Sequence, residues 1–237
     1  MAYQEEGGFI RRRDASGRIK PGAEIQAVGR RRSGETMPKP LYIEALIRTD
    51  MAKLWQRTQD PAEHQRWDAR FTEINYIGAT TPQRFRYSTT VLGVRIHGEG
   101  VTSHKREATS ALRFRSDHPL SMIVSGSGYW RYIPTHQGIR FLTGYDYVPR
   151  WAPADRVFRP LMGWATAWSF DRLRIWLEHD IPPETTRLRA IVDVAARVTA
   201  IVAAVRTRKP LLALIAFVPL SDKVPAARRC LRKRPPR

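Results

Sequence analysis

The stretch RPLMGWATAWSFDRLRIWLE, Arg159–Glu178, holds three of the chain's seven tryptophans and is apolar around most of its circumference. At about 100° per residue, Leu161, Trp164, Ala165, Trp168, Ile175 and Trp176 make one stripe. Met162, Phe170, Leu173 and Leu177 make a second, adjoining stripe. Gly163, Ala167, Asp171, Arg174 and Glu178 leave a narrow small or polar face. A one-sided surface helix does not need so wide an apolar arc, so this helix needs cover from more than one direction. The first stripe is expected to meet a sheet, and the second an apolar helix directly downstream, residues 188–205.

Upstream, the chain supplies that sheet. LYIEALIR (41–48) alternates like a strand, Asp50 is a plausible N-cap for a short helix, and Asp60-Pro61 opens a second one ending near Trp67. Strand-like runs follow at 71–77, 84–92, 94–101, 108–115, 121–132 and 138–148. Phe85, Tyr87, Thr89 and Val91 share a face, as do Leu112 with Phe114, and Ile139, Phe141, Thr143, Tyr145 and Tyr147. Arg84, Arg86, Arg113, Arg115 and Arg140 fall on the opposite faces, the pattern of half-buried antiparallel strands. The order strand, two short helices, meander, long helix predicts an α+β domain over 39–183.

That order resembles the START-like and polyketide cyclase (SRPBCC, helix-grip) superfamily. YIEALIRTDMAKLWQRTQDPAEHQRWDARFTEI (42–74), with its Trp67-Asp68 turn, resembles the opening of bacterial polyketide-cyclase-like proteins. FRPLMGWATAWSFDRLRIWLE (158–178) resembles the closing helix of a bacterial subgroup, some of whose members carry a C-terminal DoxX-like membrane module. Here the likeness to that module starts at 188–205 and then fails. The resemblance implies a curved antiparallel sheet of about six to seven strands around a long C-terminal helix, with a helical tail. It also implies an apolar cavity between the sheet and the helix, about residues 154–180.

Composition narrows the function classes. The formal net charge is +19, but residues 184–237 carry 13 basic and 3 acidic groups, more than half of the excess. That describes a modestly basic domain with a strongly basic tail. Nucleic-acid binding is not expected, because stacking aromatics are absent from the tail apart from Phe217. The tail either packs on the domain or, through residues 188–237, lies on an anionic membrane surface. Neither of its apolar runs has the roughly 20 residues of a simple membrane span. A single cysteine, Cys230, gives no disulfide and no cysteine metal site, which suits a cytoplasmic protein. Residues 1–38, rich in Gly, Arg and Ser, are expected to be a disordered leader, and Met37 is a candidate translation start.

Site residues follow from the aromatic set. Trp67, Phe71, Tyr87, Phe114, Trp130, Tyr145, Trp164 and Trp168 are expected to line a pocket for a small hydrophobic or lipid-like ligand, or else to fill the core. No cofactor or metal is expected, since no histidine has zinc-binding spacing and no nucleophile motif occurs. His104 and His118, near strand ends, are weak candidates for catalysis. Glu44 and Glu107 either point inward, where each needs an arginine partner, or form surface pairs. Gly126 and Gly128 either let the sheet bend or leave cavity room. If the protein is an enzyme, the resemblance implies a cyclase/aromatase-like activity that would use Glu44, Tyr87 and Tyr145.

Overall fold

A computed structural model of the chain describes residues 39–78, 82–91, 93–106 and 108–234, with the backbone of two short strands before them. Those two, β1 (Tyr3–Glu6) and β2 (Phe9–Arg12), pair antiparallel within a separate unit, Met1–Glu35. The rest of the expected leader, Met37 and Glu107 lie outside the described residues.

Residues Thr36–Arg237 form the second unit. It runs β3 (Leu41–Ile47), α1 (Met51–Gln59), α2 (Pro61–Trp67), β4 (Glu73–Ile77), β5 (Gln83–Val91), β6 (Val94–Arg106), β7 (Thr109–Arg115), β8 (Ile123–Thr135) and β9 (Gly138–Pro149). Then come α3 (Ala152–His179), α4 (Pro183–Thr207) and two 3-10 segments, Pro210–Phe217 and Ala227–Arg229. The expected caps form: Asp50 accepts from the Lys53 amide at 2.7 Å and Asp60 from the Ala62 amide at 2.8 Å, with Pro61 in the first turn.

Seven strands make one antiparallel sheet in the order β3-β9-β8-β7-β6-β5-β4. The meander β4–β9 is thus closed at its far side by the first strand of the unit. Ile139, Phe141, Thr143, Tyr145 and Tyr147 of β9 are all buried on the face that meets α3, the helix-grip arrangement.

Register explains the glycines of β6 and β8. Phe85 of β5 stands opposite Gly100, Gly100 opposite Phe114, Phe114 opposite Gly126, and Gly126 opposite Tyr147. Rings and glycines therefore alternate across five strands on the concave face. A Cβ at Gly100 would sit 2.1 Å from Cζ of Phe85, and one at Gly126 2.4 Å from Cζ of Phe114. The room these glycines leave is filled by neighbouring rings.

Helix α3 meets the sheet through the stripe that was expected to face away. Phe170 stacks on Phe141 with ring centroids 4.6 Å apart, and Phe170 and Leu173 are fully buried. Tyr145 Oη lies 2.9 Å from Thr166 Oγ1, and a Cβ at Gly163 would touch Leu41 of β3. Of the stripe expected to grip, Trp164 and Leu161 are 47% and 55% exposed, whereas Ile175 and Trp176 in the last turns are buried. The small face, Gly163 with Ala167, is buried instead. Small side chains let the helix backbone come close to β3, while two indoles on that face would hold it off.

The end of the chain returns to the domain. The backbones of Glu44 and Leu231 exchange two hydrogen bonds of 2.9 Å, adding a bridge to the edge of β3. Asp171, wholly buried, accepts from the Ala226 amide (2.8 Å), Arg229 Nη1 (2.8 Å) and Arg174 Nε (2.7 Å). Arg172 donates to the carbonyls of Trp67, Arg66 and Pro183, tying the end of α2 to the start of α4. Burial pushes its pKa down to about 10.

Candidate functional site

The concave face has a sealed half and a more open half. In the sealed half Trp67, Trp130, Tyr132, Phe141 and Phe170 pack ring against ring, with centroid separations of 4.6–6.5 Å. Trp67 is fully buried and its indole donates to the Arg57 carbonyl at 2.9 Å. Trp67 and Trp130 are core residues, so they hold the site together from behind.

The open half is lined by Phe71, Tyr87 and Phe114, all only half-buried. Phe71 and Tyr87 meet edge to face at 5.6 Å. Tyr145 closes this half toward α3. Burial pushes the Tyr87 phenol up to about 12 and raises that of Tyr145. Trp164 and Trp168 stack on each other at 6.2 Å; Trp168 is partly buried against the core, with the Arg172 guanidinium 4.9 Å from its ring, whereas Trp164 is 47% exposed.

Between the two halves lies a polar cluster that the aromatic pattern did not reveal. Asp68, with no exposed surface, accepts from Arg70 Nε (2.9 Å), Arg70 Nη2 (2.6 Å), the Arg70 amide (3.1 Å) and sits 3.1 Å from His64 Nε2. Burial alone would raise the Asp68 carboxyl, but the Arg70 charge and these hydrogen bonds outweigh it and hold the group well below the carboxylate range. Arg70 is stabilised as a cation in turn. Its guanidinium lies 5.4 Å from the Phe71 ring and 5.6 Å from the Tyr145 ring. With four contacts already on its carboxylate, Asp68 is a fixed anchor for Arg70 and a poor general base. The sequence signal for this cluster is the Asp-x-Arg spacing between Trp67 and Phe71.

Glu44 is buried, but on the opposite face of β3 from Ile43 and Ala45, opposite Leu142 of β9. Arg140 Nε and Nη2 bind it at 2.6 and 3.0 Å, and Tyr42 donates to it as well. It is therefore an outward pair and cannot act in a cavity with Tyr87 and Tyr145. His118 packs edge-on against His97 at 5.0 Å, away from Arg70's contacts. Among the described residues, no group of three His, Cys, Asp or Glu side chains could hold a metal ion. Of two shallow concavities, one of about 190 Å³ takes in Tyr87 together with Arg86, Ser88 and His97, and one of about 260 Å³ lies between α4 and residues 215–224.

No family model matches the chain, and none of the comparisons shows the DoxX-like module expected from residues 188–205. The uncharacterized membrane protein YndG of Bacillus subtilis (strain 168) is 44% identical over 172 residues, covering 66% of this chain. The chain spans 63% of the length of that curated relative. Among solved structures, the di-domain ARO/CYC StfQ from the steffimycin biosynthetic pathway is similar with a TM-score of 0.50. Its identity is 10%, over 60% of this chain and 51% of StfQ, and this likeness shows the fold alone. The Zhui aromatase/cyclase from Streptomyces sp. R1128 has a TM-score of 0.42 at 16% identity, over 49% of this chain and 72% of that one.

Proposed function

We propose that the protein binds a small hydrophobic or lipid-like molecule on the open half of the concave face. The observation that carries this reading is the half-exposed aromatic surface of Phe71, Tyr87 and Phe114 beside a fixed cation, Arg70. Rings supply apolar contact, and the guanidinium suits a carbonyl or acidic end of the ligand, a combination usual in small-molecule sites. Native mass spectrometry and organic extraction of the purified protein test it. A bound hydrophobe is expected, and Phe114→Ala or Tyr87→Ala should weaken rebinding about tenfold, roughly the value of one lost ring contact. A protein that extracts clean and does not bind a fluorescent fatty-acid probe overturns the reading.

Association with the inner face of a membrane is a second, independent reading. It is supported by the name of the Bacillus relative and by the apolar surface of α4, although no helix among the described residues is long and apolar enough to cross a bilayer. A cyclase/aromatase-like activity gains no such support, because Glu44 faces away from Tyr87 and Tyr145.

A further inference from the structure

Helix α4 is attached to the domain chiefly at its start. Thr186 is buried, Arg172 binds the Pro183 carbonyl and Arg66 binds Glu184 at 2.9 Å. Beyond that turn its main partner is the 3-10 segment Pro210–Phe217, which folds back along it. Arg197 fixes this return: it pairs with Asp193 at 2.6 Å and donates to the carbonyls of Ala216 (2.5 Å) and Val218 (2.8 Å). Only small residues, Ala200 and Ala204, are buried along this length of the helix. The pair is thus a hairpin held together by a charged clip and alanine contacts.

Its outer surface is apolar and bare. At 100° per residue, Leu188, Ile191, Val198, Ile201 and Val205 fall within an arc of about 140°, and each is 45–74% exposed. On the returning arm Leu211, Leu214 and Phe217 are 60–80% exposed. Asp193 and Arg197, the charges between residues 190 and 205, lie off this arc and neutralise each other. Cations bracket it: Arg187 precedes it, and Arg206, Arg208 and Lys209 crowd the hairpin tip. None of those three at the tip pairs with a carboxylate among the described residues.

We infer that this hairpin lies in the plane of an anionic lipid surface, with the α4 arc in the acyl boundary and the tip cations on lipid phosphates. The inference rests on the membrane-association reading above and gives it a surface and a lipid class. An apolar face wider than a surface helix needs, flanked by Arg and Lys, is the composition of interfacial helices. A second copy of the chain fits less well. Face-to-face α4 helices, parallel or antiparallel, would bring the basic ends of one copy onto basic ends of the other, in a region with 13 basic and 3 acidic residues.

The test is flotation of the full chain with phosphatidylcholine vesicles, with and without phosphatidylglycerol. Wild type should float with the anionic vesicles and much less with the neutral ones, and salt should weaken it. V198D/I201D should abolish flotation, and R206Q/R208Q/K209Q should weaken it about 100-fold. The substituted positions are exposed, so an unchanged circular dichroism melt verifies the fold. Failure of the full chain to float on either vesicle overturns the membrane reading and the inference together. Flotation that survives V198D/I201D overturns the inference alone. If those substitutions instead dissolve a dimer seen by light scattering, and no vesicle binds, the occupant is a second copy and the inference is wrong.

Discussion

Helices α3 and α4 follow one another in sequence, run 28 and 25 residues, and both look apolar on most sides. One is sealed over its second half and the other is bare. The difference lies in their polar residues more than in their apolar ones. In α3 the buried Asp171, Arg172, Thr166 and Ser169 each have a named partner on another element or in the helix itself. Those bonds fix where each neighbour sits, and the apolar groups pack against what is fixed. In α4 the interior polar residues bind one another and the returning arm, and its valines and isoleucines stay 45–74% exposed.

The contrast can be broken most sharply by truncating one side chain in each helix. Phe170→Ala should cost about 3–5 kcal/mol in denaturant unfolding, because the residue is fully buried against Phe141 and Trp67. If it costs no more than Val198→Ala, the two helices are not different in kind. Asp171→Ala should cost about 3 kcal/mol by removing the carboxylate that pairs with Arg174 and Arg229 and the acceptor of the Ala226 amide. Looser proteolytic protection of residues 219–234 in that variant would confirm that the carboxylate holds the chain end.

Acid provides the third test. The folded Asp68 carboxyl lies below its unfolded value of about 3.9. Its contribution is therefore complete above that pH and is lost as pH falls toward the folded value. A loss of roughly 2 kcal/mol below pH 4 is expected, on the scale of a salt-bridged aspartate, and Asp68→Asn should flatten that part of the curve. Gly126→Ala should cost about 1–2 kcal/mol by overpacking, since its Cβ meets the Phe114 ring and the Asp146 carbonyl at 2.6 Å. Val198→Ala should change stability by less than about 0.5 kcal/mol, the smallest effect and the other half of the first comparison.

Alternation made the sheet legible, because one buried face forces period two on every strand. Caps at Asp50 and Asp60 were equally readable, since they depend on neighbours within three residues. The orientation of α3 was not. Hydrophobicity ranks Trp164 above Gly163, whereas close helix–sheet approach favours the glycine, and sequence periodicity does not carry that distance. Phe71, Tyr87, Phe114 and Tyr145 are legible as a lining, but the aromatic pattern does not point to Arg70. Its role depends on a turn that folds Asp68 back onto it, and on α2 bringing His64 to the same carboxylate.

The bridge between Glu44 and Leu231 has a further consequence for how the protein is made. Strand β3 leaves the ribosome early, yet one of its edges gains β9 only after residue 149 and the other gains its bridge only after residue 231. Chain synthesis proceeds at roughly 5–20 residues per second, so for many seconds a nascent strand offers unpaired amides to any neighbour. Closing contacts of such long separation is also slow once synthesis is finished. Expression trials that shorten the chain at residue 183 would therefore remove the cover of that edge along with the hairpin. A version in which residues 219–234 are kept and only the hairpin is replaced by a short linker should reach the native state with fewer aggregates.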